Sequence, residues 1–70
     1  MLREIVKEKR ANFPKGSRVR LIFMDDPQAP KSGTLGTVRG VDDIGSILVD
    51  WDSGSSLNVL QGVDKIELVK

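Results

Sequence analysis

Four carboxylates stand in two adjacent pairs, Asp25–Asp26 and Asp42–Asp43. Hard cations take oxygen ligands, so two such pairs on neighbouring loops could gather Ca²⁺ or Mg²⁺. The D-x-[DN]-x-[DN]-G order of a calcium loop is absent, however. Nothing in the sequence around either pair signals an apolar pocket that would raise one carboxyl into a general acid. Aspartate is also a turn former, because its side chain bonds backbone N–H groups close by. The pairs are read as turn residues, and neither a metal ion nor a cofactor is expected.

The remaining chemistry is sparse. The chain holds no His and no Cys, which removes the commonest general base, the thiolate nucleophile and the usual transition-metal ligands. No catalytic residue is assigned and no enzyme is expected. "GTLGTVRG" (residues 33–40) has the look of a phosphate-cradling loop but lacks both the P-loop and the dinucleotide spacing, and it opens a strand. Trp51, the single tryptophan, shares a strand face with Ile47 and Val49; that parity points it inward, as a partly buried residue closing one end of the fold.

Two surfaces carry functional expectations. The first is "MDDPQAPKSG" (residues 24–33), in which Met24, Pro27, Ala29 and Pro30 give more apolar character than a spacer needs. Met24, Asp25, Asp26, Pro27 and Pro30, joined by Asp42 and Asp43 of the second acidic turn, form the candidate partner-binding set. The second is Arg18, Arg20 and Arg39, on outward faces of neighbouring strands, with Lys7, Lys9, Arg10 and Lys15 nearby. That arrangement could contact phosphates. It lacks the aromatic interleaving of single-strand binders, since Phe13, Phe23 and Trp51 are the only aromatics and are all expected inside. Nucleic acid is possible but not the favoured partner.

The elements that position these residues follow from periodicity. Leu2, Ile5, Val6, Lys9 and Phe13 keep helical spacing, and Pro14 disfavours helix at Phe13, which predicts a helix over residues 2–12. From Ser17 the period becomes two. Strands are expected at about 18–24, 35–41, 46–51, 55–59 and 65–69, with Val19, Leu21 and Phe23 on one face of the first. Gly40 marks a bulge or bend, "DSG" (52–54) a tight hairpin turn, and "QGVD" (61–64) a short turn. Five short strands with one long loop suit a mainly β fold, a small five-stranded SH3-like barrel occupying residues 17–70, with Ile5, Val6 and Phe13 plugging an open end. Residues 1–70 make one domain.

Composition is that of a soluble globular domain. Of 70 residues, 39% are hydrophobic and 30% charged, and the net charge is +1. Residues 1–20 carry seven Lys/Arg against two Glu, whereas 21–70 carry four against eight Asp/Glu, so a basic start faces an acidic body. The longest apolar run, "LIFM", is far below a membrane span of about 20 residues. Together with the absence of Cys and of a secretory h-region, this sets the expectation of a cytoplasmic protein that meets no membrane.

The motifs "GSRV" (16–19), "MDDPQAP" (24–30), "GTLGTV" (33–38), "GVDDIG" (40–45), "VDWDSGS" (49–55) and "QGVD" (61–64) resemble those of a family of small bacterial proteins classed as a domain of unknown function. Gln61 stands where the family pattern has proline. The resemblance spans the helix and the strands. It implies a Gram-positive origin, in genomes and their mobile elements, and more remotely a similarity to SH3-like modules. It implies no activity, since function does not travel with a fold. The expected function is a non-catalytic, protein-binding module, with a nucleic-acid-associated accessory protein of a mobile element as the alternative.

Overall fold

The computed structural model describes residues 2–60 and 62–69. Helix α1 spans Leu2–Asn12 and is followed by strands β1 (Arg18–Phe23), β2 (Leu35–Val41), β3 (Ile47–Trp51) and β4 (Lys65–Leu68). The fold is mainly β, one helix beside a four-stranded antiparallel sheet of order β3–β2–β1–β4. The helix keeps its predicted bounds: Glu4 lies in its first turn, Lys9 and Arg10 in its last, as the macrodipole favours, and Pro14 follows its end. Val6 is buried, while Ile5 and Phe13 are half-buried. A helix this short does not persist alone in water; it is fastened to the sheet by Val6 and by Arg10, which donates to the Val41 carbonyl at 3.2 Å.

The fifth expected strand is not formed. Residues 55–59 touch β3 through one bridge, Ile47 to Val59, and through the Trp51 N–H donating to the Ser55 carbonyl at 2.9 Å. The segment runs along the outer edge of β3 without a ladder. Its "SSLN" start offers hydroxyl and amide groups that compete for backbone partners; Ser55 Oγ accepts from the Leu57 N–H at 3.3 Å. Gln61, the departure noted in the turn before β4, lies outside the described residues.

The core collects Val6, Val19, Leu21, Met24, Val38, Val41, Ile47, Val49, Trp51 and Val59. Two bulges decide which side chains reach it. On β2 the register with β3 slips between Val38 and Gly40, so Val38 and Val41 both point inward although three residues apart. This is the bulge expected at Gly40. On β1 the register with β4 slips between Leu21 and Phe23. The extra residue reverses the parity expected for Phe23, which is 52% exposed, and turns Met24 inward at 9%. Phe23 is therefore not a core residue and Met24 is one.

One close approach fixes the β2–β3 pair. Gly36 lies opposite Trp51, and an ideal Cβ on Gly36 would stand 2.6 Å from Val49 Cγ1 and 2.8 Å from Trp51 Cε3. The indole occupies the space that any larger residue would need. Gly54, at φ 96°, closes the tight turn after Trp51, with its N–H donating to the Trp51 carbonyl at 2.9 Å.

Candidate functional site

The carboxylates of the loops mostly hold backbone. Asp42 Oδ1 accepts from the N–H groups of Ile44 (3.1 Å) and Ser46 (2.9 Å), which shapes the β2–β3 turn. Asp26 Oδ1 accepts from the Gln28 N–H at 2.8 Å. Asp64 Oδ1 takes the Asp25 N–H and Oδ2 the Leu60 N–H, both at 2.9 Å. Asp43 faces the helix, 3.4 Å from Arg10. These are the local side chain–backbone bonds that make aspartate a turn residue. Among the described residues, no group of three or more His, Cys, Asp or Glu is placed to hold a metal ion.

The two acidic loops line different depressions. Asp43 lines a depression with Leu2, Arg3, Val6, Lys7 and Arg10 of the helix. Asp25 and Asp26 line a different one, with Met24, Leu57, Asn58, Leu60 and Asp64. Asp25, Asp26 and Pro27 are exposed and Pro30 is half-buried, whereas Met24 is taken by the core. The two turns are expected to flank one groove of an SH3-like barrel; the Asp42–Asp43 turn lies against the helix, where Arg10 meets Asp43.

The arginine stripe is matched one to one by acids. Arg18 meets Asp52 through two bonds, 2.6 and 3.0 Å, and also donates to Thr37 Oγ1 at 2.8 Å. Arg20 meets Glu67 at 2.7 Å and Arg39 meets Asp50 at 3.1 Å. Bidentate Arg–carboxylate contact is the stronger kind of surface pair. Hydrogen bonding from Arg18 holds the Asp52 carboxyl below its ordinary value, and the guanidinium is correspondingly raised. The outer face of the sheet is thus a set of cross-strand ion pairs.

Where the sheet fails to close, a cleft of about 300 Å³ opens. Its walls are Ile47 and Val59 on the β3 side and Ile66 on the β4 side, with Phe13, Ile22 and Leu60 around them. Lys9 and Lys65 stand at its rim, and neither is ion-paired among the described residues. Lys9 Nζ lies 5.8 Å from the Phe13 ring centroid. The rim's Asp64 is already spent on two backbone N–H groups. Ile22, Phe23, Leu60, Val63 and Leu68 add exposed apolar surface in this part of the chain.

Of these residues the sequence places only Lys9 near a candidate surface, the arginine stripe. Phe13 is expected as a plug of the open end, and neither Ile22 nor Ile66 is expected at a site. The signal was the pair Ile22–Phe23, two adjacent large apolar side chains in a strand, of which parity can bury only one. The bulge buries neither.

Among the described residues, no helix is long and apolar enough to cross a membrane. No curated protein and no solved structure matches the chain. One family model does match, and it takes in the helix, the four strands and both acidic turns: over residues 2–69 the chain belongs to the family described as a domain of unknown function, DUF4314.

Proposed function

We propose that this is a non-catalytic protein-binding module whose contact surface is the cleft between β3 and β4, in place of the two acidic loops. The observation that carries the reading is the combination of Phe13, Ile22, Leu60 and Ile66 around an open cleft with two cations, Lys9 and Lys65, on its rim that are unpaired among the described residues. Large apolar side chains left in contact with water beside a concavity mark interaction sites more often than spacers. The rim charge specifies the partner: a protein segment that presents an apolar side chain beside an aspartate or glutamate.

The scaffold is proposed as a partly open SH3-like barrel, with residues 55–59 in the place of a fourth strand. The Ile47–Val59 bridge and the two strand bulges support that reading, because bulges supply the bending that closure needs. A cytoplasmic setting belongs to the same proposal and suits a chain without cysteine. The nucleic-acid reading is less well supported, since Arg18, Arg20 and Arg39 each have a carboxylate neighbour to be displaced before a phosphate can take its place.

The test is selection from a random displayed-peptide library on the immobilised protein, followed by amide-shift mapping with the enriched peptides. Enrichment of Leu, Ile or Phe next to Asp or Glu is expected, with shifts at Phe13, Ile22, Leu60 and Ile66. Lys9→Glu should weaken such peptides by up to about fivefold, the size of an exposed charge pair. Enrichment of basic peptides, shifts confined to Asp25–Pro30 and Asp42–Asp43, or no enrichment at all would overturn the assignment.

A further inference from the structure

The two margins of the sheet are treated differently. The outer edge of β3 is covered by residues 55–59, through the Ile47–Val59 bridge and the Trp51–Ser55 bond. Among the described residues, nothing covers the outer edge of β4. Its pairing with β1 sets Arg20 opposite Glu67, and the Val69 N–H donates to the Arg18 carbonyl at 2.9 Å. Residues 67 and 69 therefore turn their backbone groups toward β1. Ile66 and Leu68, of the opposite parity, turn theirs outward. Neither finds a backbone partner beyond the sheet among the described residues, and Leu68 is 43% exposed. An edge of this kind is a template for another strand.

We infer that β4 pairs with β4 of a second copy of this chain, antiparallel about a two-fold axis centred on Ile66. Three observations select this occupant. First, parity: the outward N–H and C=O of Ile66 form a reciprocal pair of bonds with Ile66 of the other copy, which an isologous contact requires. Second, charge: in that register Lys65 lies opposite Glu67 of the second copy, twice over, so the strand is complementary to itself. Third, continuity: Arg18, Arg20 and Arg39 each meet an acid across the outer face, and Lys65 does not. The second copy's Glu67, already held by its own Arg20, extends the same alternation across the edge. The partner here is a second copy, and the surface is the backbone edge. Ile66 and Lys65 also border the cleft, so the two readings share those residues and are told apart by their tests.

The test is sedimentation equilibrium of the full chain from micromolar to millimolar concentration. A reversible monomer–dimer equilibrium is expected. Leu68→Pro removes an outward N–H and no bond to β1, so it should leave the Trp51 emission native and abolish the dimer. Should that variant misfold, charge decides the matter. Lys65→Glu and Glu67→Lys, made singly, place two like-charge pairs across the axis and should each weaken association by about tenfold. The double exchange should restore it. A native monomer throughout the range, or single charge variants that dimerise as tightly as the parent, would overturn the inference. Lys9→Glu, at a residue that borders the cleft but lies off the β4 edge, should weaken peptide capture and leave the dimer unchanged, so the two readings fail separately.

Discussion

Gly36 is the point at which the packing is most sharply exposed to experiment. It faces Trp51 across the β2–β3 pair, and an added methyl would sit 2.6 Å from Val49 and 2.8 Å from the indole. Carbon atoms rest comfortably near 3.5–4.0 Å, so something must move by about 1 Å. Both neighbours are in the core, Val49 fully and Trp51 at 3% exposure, and the Trp51 ring is further tied by its Nε1–H donating to the Leu57 carbonyl at 2.9 Å. Overpacking of this kind costs about 1–3 kcal/mol. Against it stands a gain of roughly 0.5–1 kcal/mol from restricting the unfolded chain. Gly36→Ala should therefore destabilise by about 1–2 kcal/mol, or roughly 4–16 °C in Tm for a domain of this size. A 70-residue fold holds only about 4–10 kcal/mol in all. Urea unfolding followed by the emission of Trp51 reads the loss beside the perturbation itself. Val49→Ala in the same chain opens room, so the double variant should show a favourable coupling of at least about 0.5 kcal/mol. A Gly36→Ala protein as stable as its parent, with unshifted emission, would refute the close approach and with it the β2–β3 register.

Two further predictions follow from the same packing and from the outer face. Trp51→Phe keeps a ring over Gly36 but leaves the Leu57 carbonyl without its indole donor, so a loss of about 1–3 kcal/mol is expected in thermal unfolding monitored by circular dichroism. Asp52 has its folded pKa lowered by Arg18; its contribution is present above the unfolded value of about 3.9 and disappears as pH falls through the lower folded value. Asp52→Asn should remove that part of the acid-side loss, measured by urea titrations between about pH 2 and 6, and an unchanged profile would show that the pair does not couple to folding.

Much of the fold was legible because it rests on local rules. The change of period from 3.6 to 2 near Ser17, Pro14 at the helix end and "DSG" at the hairpin each act over a few residues, and each appears where expected. Strand 55–59 was misjudged because its alternation is real but its edge position is not written locally; a single bridge satisfies it. Phe23 and Met24 exchanged roles because a bulge depends on the partner strand, and the β4 register that forces it lies more than 40 residues away. The candidate site was least legible for the same reason. A cleft made by incomplete closure has residues from the helix, β1, β3 and β4, and no one stretch of sequence carries its pattern.

The charge asymmetry along the chain changes meaning once folded. A basic first segment and an acidic remainder suggest an attractive field for an anionic partner, yet the fold spends much of that asymmetry internally. Arg10, Arg18 and Arg20, all from the basic segment, meet Asp43, Asp52 and Glu67 of the acidic one. Exposed pairs of this sort add little stability individually, so their main effect is on what remains. Arg3, Lys7, Lys9 and Lys15 are left without acids among the described residues, all on or just after the helix. The field of the unpaired cations of the basic segment therefore lies along the helix, where Lys9 borders the cleft beside Phe13, and on the sheet Lys65 is left without an acid among the described residues. Steering by such a field acts on association rates and is screened within about 10 Å at 0.1 M salt. On the cleft reading proposed above, such a field would add to the attraction of an acidic segment and would weaken as salt rises.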